Sequence, residues 1–344
     1  MKVKDLFRIV SLALCLLLLS SLPVWAASSL EDPQLVFMMD DPVEDDKGPG
    51  TYEYPKAPTF DPGKGLFDIT KFKVYYDPLF YYFYISFGEM DNPWGAPEGF
   101  SHQRAQIYID STSGQGRTET FREGAYVVFH PDHGWEYLID ILSWNNTAVY
   151  HYNDDRNSKG RTEAVLTRLL DDGKTIQVRV PHEHLDSTPE NWSYYVLIGG
   201  QDGFGPDNYR VVMEKKTDWQ FGGGTDTYFD PNVIDLLAEE NGQRSQAQQL
   251  GSFDFAKGIQ AEIYPVVPQD EVKIYKPNII GKISFKISQP LRDHLEKYPW
   301  EVYFPVYIST LVGGGLVTLL IVVNFRRRKK SNRRKDGDVP KHPQ

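Results

Sequence analysis

LFYYFYISF, residues 79–87, puts Leu79, Tyr81, Phe83, Ile85 and Phe87 on one face of an extended chain and Phe80, Tyr82, Tyr84 and Ser86 on the other. Aromatic and β-branched residues fit such a pleated surface, so the stretch reads as a strand. Similar runs lie at 66–76, 104–110, 125–129, 135–142, 148–152, 163–170, 175–180, 192–198 and 209–213, separated by turn residues. Asp171-Asp172-Gly173 between two of them reads as a hairpin turn. About ten strands at these spacings, without alternating long helices, predict an all-β fold, an antiparallel β-sandwich. The one short helix is expected at 231–239, where Val233, Leu236 and Leu237 can share a face, with a single helical turn at 181–185.

The ends of the 344-residue chain differ from this middle. Residues 1–26 carry a basic start, an apolar run and Val24-Trp25-Ala26, the pattern of a cleaved secretory signal peptide. The only cysteine, Cys15, lies inside that run, so the mature chain is expected to form no disulfide. Residues 302–325 open with the uncharged run VYFPVYISTLVGGGLVTLLIVV, long enough as a helix to cross a bilayer. Trp300, Tyr303 and Tyr307 stand at its outer edge, and the basic tail 326–344 follows at once. These features predict a single-pass plasma-membrane protein with residues 27–250 as an extracytoplasmic sandwich, 251–301 as last strands and connector, and the tail in the cytoplasm. Gly313–Gly315 do not have GxxxG spacing and predict no specific dimer, leaving the oligomeric state open.

Charge narrows the partners. Residues 1–26 carry a net +2 and 326–344 a net +7, and removing both from the chain's −10 leaves −19 on residues 27–325. Phosphate binding needs a basic surface, so nucleic acid is excluded as a partner, while cations and neutral ligands fit. The acidic stretch 40–55, DDPVEDDKGPGTYEYP, places five carboxylates within seven positions. Hard cations take six to eight oxygens, so a structural Ca²⁺ on Asp40, Asp41, Asp45 and Asp46, with Asp68 and Asp110 as further ligands, is the metal expectation. The spacing is not that of an EF-hand, and a solvated acidic loop is the plainer reading.

Several motifs in fixed order carry a resemblance: DDKGPGTYEYP (45–55), GLFDITKF (65–72), NPWGAPEGFS (92–101), IYID (107–110), GGQDGFG (199–205), WQFGGG (219–224) and NVIDLL (232–237). Over roughly residues 32–250 the chain resembles the C-terminal module of bacterial glucodextranase and related domains of cell-surface glycoside hydrolases. That family is similar to the DOMON-like sandwiches, which include family-nine carbohydrate-binding modules and some haem-binding domains. The resemblance implies a sugar-binding or cell-surface module, here on a membrane anchor without a hydrolase domain.

Sugar rings stack on aromatic faces while their hydroxyls bond planar polar groups. Trp94, Trp135 and Trp144 lie outside long apolar runs, and Gln201, Asp202 and Phe204 follow a permissive Gly-Gly; these six are the candidate carbohydrate contacts. Trp192 begins a strand and is assigned to the core. No GxSxG, HExxH or P-loop appears, so a non-catalytic module is expected. Pro181-His182-Glu183-His184 lacks a third zinc ligand and reads as a solvated turn. Haem on Met38, Met39, Met90 or Met213 with His102 or His151 is the weaker cofactor reading, because no spacing favours any pair. The expected partner is a glycan or cell-envelope polysaccharide; the alternative is a structural subunit docking on an envelope protein or transporter.

Overall fold

The structure is a computed structural model and describes residues 32–185, 187–225 and 229–268. The expected signal peptide, membrane helix and basic tail, and most of the connector, lie outside the described residues. Among those described, no helix is long and apolar enough to cross a membrane.

Two five-stranded antiparallel sheets face each other. The first is ordered β1 (Gln34–Asp40), β2 (Ile69–Tyr76), β3 (Phe80–Phe87), β9 (Thr175–Pro181) and β8 (Leu166–Leu169). The second is ordered β11 (Asp235–Leu236), β10 (Ser193–Gly200), β4 (Gln103–Asp110), β6 (Tyr137–Ile141) and β7 (Ala148–His151). A short parallel pair, β12 (Ala261–Ile263) on β5 (Val127–Phe129), lies apart from both sheets in the strand pairing.

Alternation explains the layers. Tyr81, Phe83, Ile85 and Phe87 of β3 point inward and meet Ala105, Ile107 and Ile109 of β4 in the main core. The other face of the second sheet is covered as well: Tyr108, Leu138, Tyr195 and Leu197 pack in a second cluster with Phe121, Trp135, Val233 and Ile263. A strand buried on both faces loses its polar alternation, and all eight residues of both β4 and β10 are buried. In the first sheet β2 keeps its outer face half-exposed, with Phe72 and Val74 buried and Lys71 and Lys73 partly exposed in alternation with them.

Several expectations are corrected. Residues 231–239 are extended rather than helical: Ile234 donates to the Ile198 carbonyl and Leu237 to that of Val196. Their apolar side chains divide between the two cores, Ile234 and Leu237 into one and Val233 and Leu236 into the other, which a single helical face could not do. The short helix is instead α1 (Gln246–Leu250). The expected strand at 209–213 is reduced to isolated bridges, Gln201 with Tyr209 and Val212 with Phe221. β1 was not among the expected runs. At 181–185, Pro181 closes β9 and a 3₁₀ turn follows at His182–His184. This turn is packed rather than solvated: His182 stacks on Tyr76 and Tyr81, and His184 Nε2 meets the Glu163 carbonyl at 2.7 Å. The hairpin at 171–173 joins β8 to β9, with the Asp172 carboxylate accepting from the Lys174 and Thr175 amides.

Candidate functional site

Because β4 runs antiparallel to both β6 and β10, the start of β4 and the ends of its two neighbours share one edge of the second sheet. Three loops therefore meet there: 88–102 before β4, 143–147 after β6 and 201–222 after β10. The 3₁₀ turn Pro58–Phe60 joins them, held by amides of Lys56 and Ala57 donating to the carbonyls of Thr217 and Asp218.

Phe60, 1% exposed, is the floor of the site. Trp94 and Trp219 both pack against it, with ring centres 6.4 and 6.3 Å from the phenyl and interplanar angles of 69° in both cases. Edge-to-face packing of this kind fixes an indole while leaving area open to solvent. Trp94 is 40% and Trp219 50% exposed.

Polar groups line the same mouth. Arg210, nearly buried, lies 5.2 Å from the Phe60 ring centre and donates to the carbonyls of Trp219 at 2.5 Å and Gln201 at 2.9 Å. Its Nη1 also meets Asp202 Oδ2 at 3.4 Å, and Gln220 donates to that oxygen at the same distance. The other Asp202 oxygen accepts from the Phe204 amide, and Phe204 itself is fully exposed at the loop tip. His102 packs 4.7 Å from Trp94 and 4.8 Å from Phe60, and burial lowers its pKa to about 4, so it is neutral at pH 7.

The loop bearing Asp202 and Phe204 is anchored from behind. Asp207 and Asn208 both adopt left-handed backbone, φ 45° and 61°, and Asp207 Oδ2 accepts from Arg104 Nη2 at 2.7 Å. Arg104 is wholly buried, also bonds Asp140 and sits under the Tyr209 ring at 4.6 Å. Burial, opposed by the Arg104 charge, raises the Asp207 pKa to about 6.

Of the sequence candidates, Trp94, Gln201, Asp202 and Phe204 come together at this edge. Trp144, 41% exposed, follows β6 at the same edge. Trp135 is a correction: it is 0% exposed in the second core, its Nε1 donating to the Glu119 carbonyl at 2.8 Å, so its ring faces cannot meet a ligand. Trp192 is buried as assigned. Phe60, His102, Arg210 and Trp219 were not among the carbohydrate candidates. Trp219 alone had a signal, its place in the WQFGGG motif; the others are recruited from loops far apart in sequence.

The acidic stretch forms a second constellation. Asp41, Asp45 and Asp235 bring carboxylate oxygens within 4.8 Å of one another, and Asp235 was not among the expected ligands. Asp68 and Asp46 lie beside them: Asp68 Oδ1 accepts from the Glu44 amide at 2.9 Å, and Asp46 Oδ2 accepts from the Gly65 amide and the Tyr54 hydroxyl. Burial raises the pKa of Asp41 to about 9, of Asp45 to about 7 and of Asp68 to about 6, with neighbouring carboxylates adding to it, and lifts Asp235 well above the usual range. Asp41 Oδ2, Asp45 Oδ1 and Asp46 Oδ1 are buried with no hydrogen-bond partner among the described residues. All-oxygen donors that are crowded, desolvated and unpartnered fit a hard divalent cation. Asp40 and Asp110 are elsewhere: Asp40 pairs with Lys71 at 2.9 Å on the surface, and Asp110 meets His133 at 2.9 Å at the opposite end of β4.

Two facing antiparallel sheets with an aromatic and polar mouth at one edge define a β-sandwich binding module. The chain belongs to the family described as the C-terminal binding-module, SLH-like, of glucodextranase, whose model matches residues 36–265. Among solved structures it is similar to a family-nine carbohydrate-binding module from Caldicellulosiruptor kristjanssonii in complex with cellotriose, at 10% identity and a TM-score of 0.25, covering 62% of this chain and 80% of that one. No curated protein matches the chain.

Proposed function

We propose that the protein is a non-catalytic glycan-binding module whose ligand enters between Trp94 and Trp219. The single observation carrying this reading is the pair of half-exposed indoles fixed at matching angles on the Phe60 floor, with the Arg210–Asp202 pair beside them. Indole faces suit the C–H face of a sugar, and the Arg210–Asp202 pair holds the loop that carries Trp219. The family's description as a binding module supports the same reading. Binding without hydrolysis is the reading in which two carboxylates of this edge serve as structure: Glu98 accepts two backbone amides and Asp202 is paired with Arg210. Glycoside hydrolysis needs two carboxyl groups free to act on one bond.

In this proposal a Ca²⁺ held by Asp41, Asp45 and Asp235, with Asp68 and Asp46 adjacent, stabilises the sandwich and takes no part in sugar binding. A cleaved signal, one membrane span at 302–325 and a cytoplasmic basic tail display the module outside the plasma membrane toward envelope polysaccharide. Titration of the detergent-purified full-length chain with glucose, isomaltotriose, maltotriose and cellotriose, followed by tryptophan fluorescence and calorimetry, tests the central claim. Saturable binding of any of the four supports it. Silence toward all four, and toward a cell-wall polysaccharide panel, turns the reading to a protein-docking subunit.

A further inference from the structure

Trp144 and Asn145 both hold left-handed backbone, with φ of 58° at each. For a residue as bulky as tryptophan this conformation is an outlier, and such strain persists only where the surroundings enforce it. The enforcing group is Glu98. Its Oε2 accepts the Trp144 amide at 2.9 Å and its Oε1 the Asn145 amide at 2.6 Å, while the residue itself is nearly buried. A carboxylate with each oxygen on a successive backbone amide acts as a clamp on the turn, and bonds to an ionised acceptor are the stronger kind. Yet the turn keeps its large side chain out of any core: the indole of Trp144 is 41% exposed. A strained, clamped turn whose product is an open indole calls for a functional reason.

Position supplies one. Glu98 is four residues from Trp94 in the same loop, so one short segment carries an indole and clamps the turn of another. Ser143, next to Trp144, donates its amide to Gln201 Oε1 at 3.3 Å and its hydroxyl to the Phe100 carbonyl at 2.6 Å. The Gln201 carbonyl in turn accepts from Arg210, which lies against Phe60. Across the sheet edge the order is therefore Trp144 on the β6 side, Trp94 and His102 at β4, and Asp202, Arg210 and Trp219 on the β10 side. Neighbouring strands are about 4.8 Å apart, so the edge from β6 to β10 spans about 10 Å, more than one sugar ring needs.

Resting on the glycan-binding reading above, we propose that Trp144 is a second stacking platform, taking the sugar unit next to the one between Trp94 and Trp219, so that the module selects oligosaccharides over monosaccharides. Glu98 is a positioning residue: it touches no sugar and acts by holding the Trp144 turn. The specificity lies in chain length, because an isolated ring occupies the first position alone.

The test compares glucose with isomaltotriose, maltotriose and cellotriose on the detergent-purified full-length protein. W144A is expected to leave glucose affinity unchanged and to weaken the preferred trisaccharide about tenfold, the size of one aromatic contact. E98Q, which presents an amide to one of the two backbone N–H groups, is expected to reproduce the trisaccharide loss with glucose affinity intact. Adding N145G, which removes one of the two strained positions, is expected to restore part of it. Equal losses for glucose and trisaccharide, or none for either, overturn the second platform while the first site stands. Failure of the unmutated protein to bind any of the four sugars or the cell-wall polysaccharide panel overturns the glycan-binding reading and this inference with it.

Discussion

Arg210 holds Trp219 by its backbone: the guanidinium donates to the Trp219 carbonyl at 2.5 Å from a position against the Phe60 ring. The indole's placement thus depends on a fork-shaped donor that reaches the carbonyls of Trp219 and Gln201 together. Lysine is a point donor and cannot make both contacts in this geometry. R210K is expected to reduce sugar affinity about tenfold or more. Titration of R210K beside the unmutated protein checks this, and equal affinity would remove Arg210 from the site.

The two indoles and their floor separate by the kind of damage they cause. W94A and W219A remove half-exposed side chains and are expected to abolish measurable sugar binding with small changes in melting temperature. F60A removes a buried ring and is expected to cost about 3–5 kcal/mol of stability. Urea unfolding and ligand titration on the three variants distinguish these outcomes. W135A should resemble F60A in urea and the unmutated protein in sugar binding per folded molecule, because Trp135 lies in the second core.

Arg104 carries the buried charge of the module. It bonds Asp140 and Asp207, and its removal leaves the buried Asp140 without its cation and Asp207 with only the more distant Arg122 at 3.6 Å. R104M is expected to destabilise the protein by about 3–5 kcal/mol, since breaking one side of a buried pair is the costly change. A variant that also carries D140N and D207N should recover part of the loss by denaturant melting. No recovery would show that Arg104 acts through packing against Tyr209 rather than through its charge.

The acidic constellation predicts a coupling of metal and pH. Asp68, Asp45 and Asp41 have native pKa values of about 6, 7 and 9, above the unfolded value near 3.9. Without metal the native state holds more protons than the unfolded chain, so the stability these groups contribute is complete below about pH 4 and is lost as pH rises through their native pKa values. A divalent cation favours the ionised forms and reverses the trend. The melting-temperature gap between millimolar Ca²⁺ and excess EDTA is expected to widen from pH 6 to pH 8, and D235N to erase it. Identical melting in both buffers at both pH values would discard the metal.

Legibility followed burial on one face. Strand β2 was readable because one side meets the core and the other water, as Phe72, Val74 and Lys73 illustrate. Strand β4 was readable as a run but not as doubly buried, because nothing local announces that Tyr108 will lie under Trp135 and Phe129. At 231–239 the helical spacing of apolar residues was real, but two cores claimed alternate side chains and tertiary packing overrode the local period. Trp94 and Trp135 are both candidate ligand contacts by sequence, although Trp135 opens the run 135–142 as Trp192 opens 192–198, and burial separates them: one is 40% exposed, the other 0%.

By itself the sequence determined the all-β class, most strand positions, the family and the concentration of carboxylates at 40–46, since each of these is written in local period, turn chemistry or motif order. Only the tertiary structure decided the site. Trp94 and Trp219 become part of one site because both pack edge-to-face on Phe60, and the carboxylates of Asp41 and Asp45 gain Asp235 from about 190 positions away because β11 pairs beside β10 at the sheet edge. The physical reason is the same in both places. Antiparallel pairing gathers distant loops at one end of a sheet, and the resulting burial, not the residue types alone, sets which rings stay open and which carboxylates lose their water.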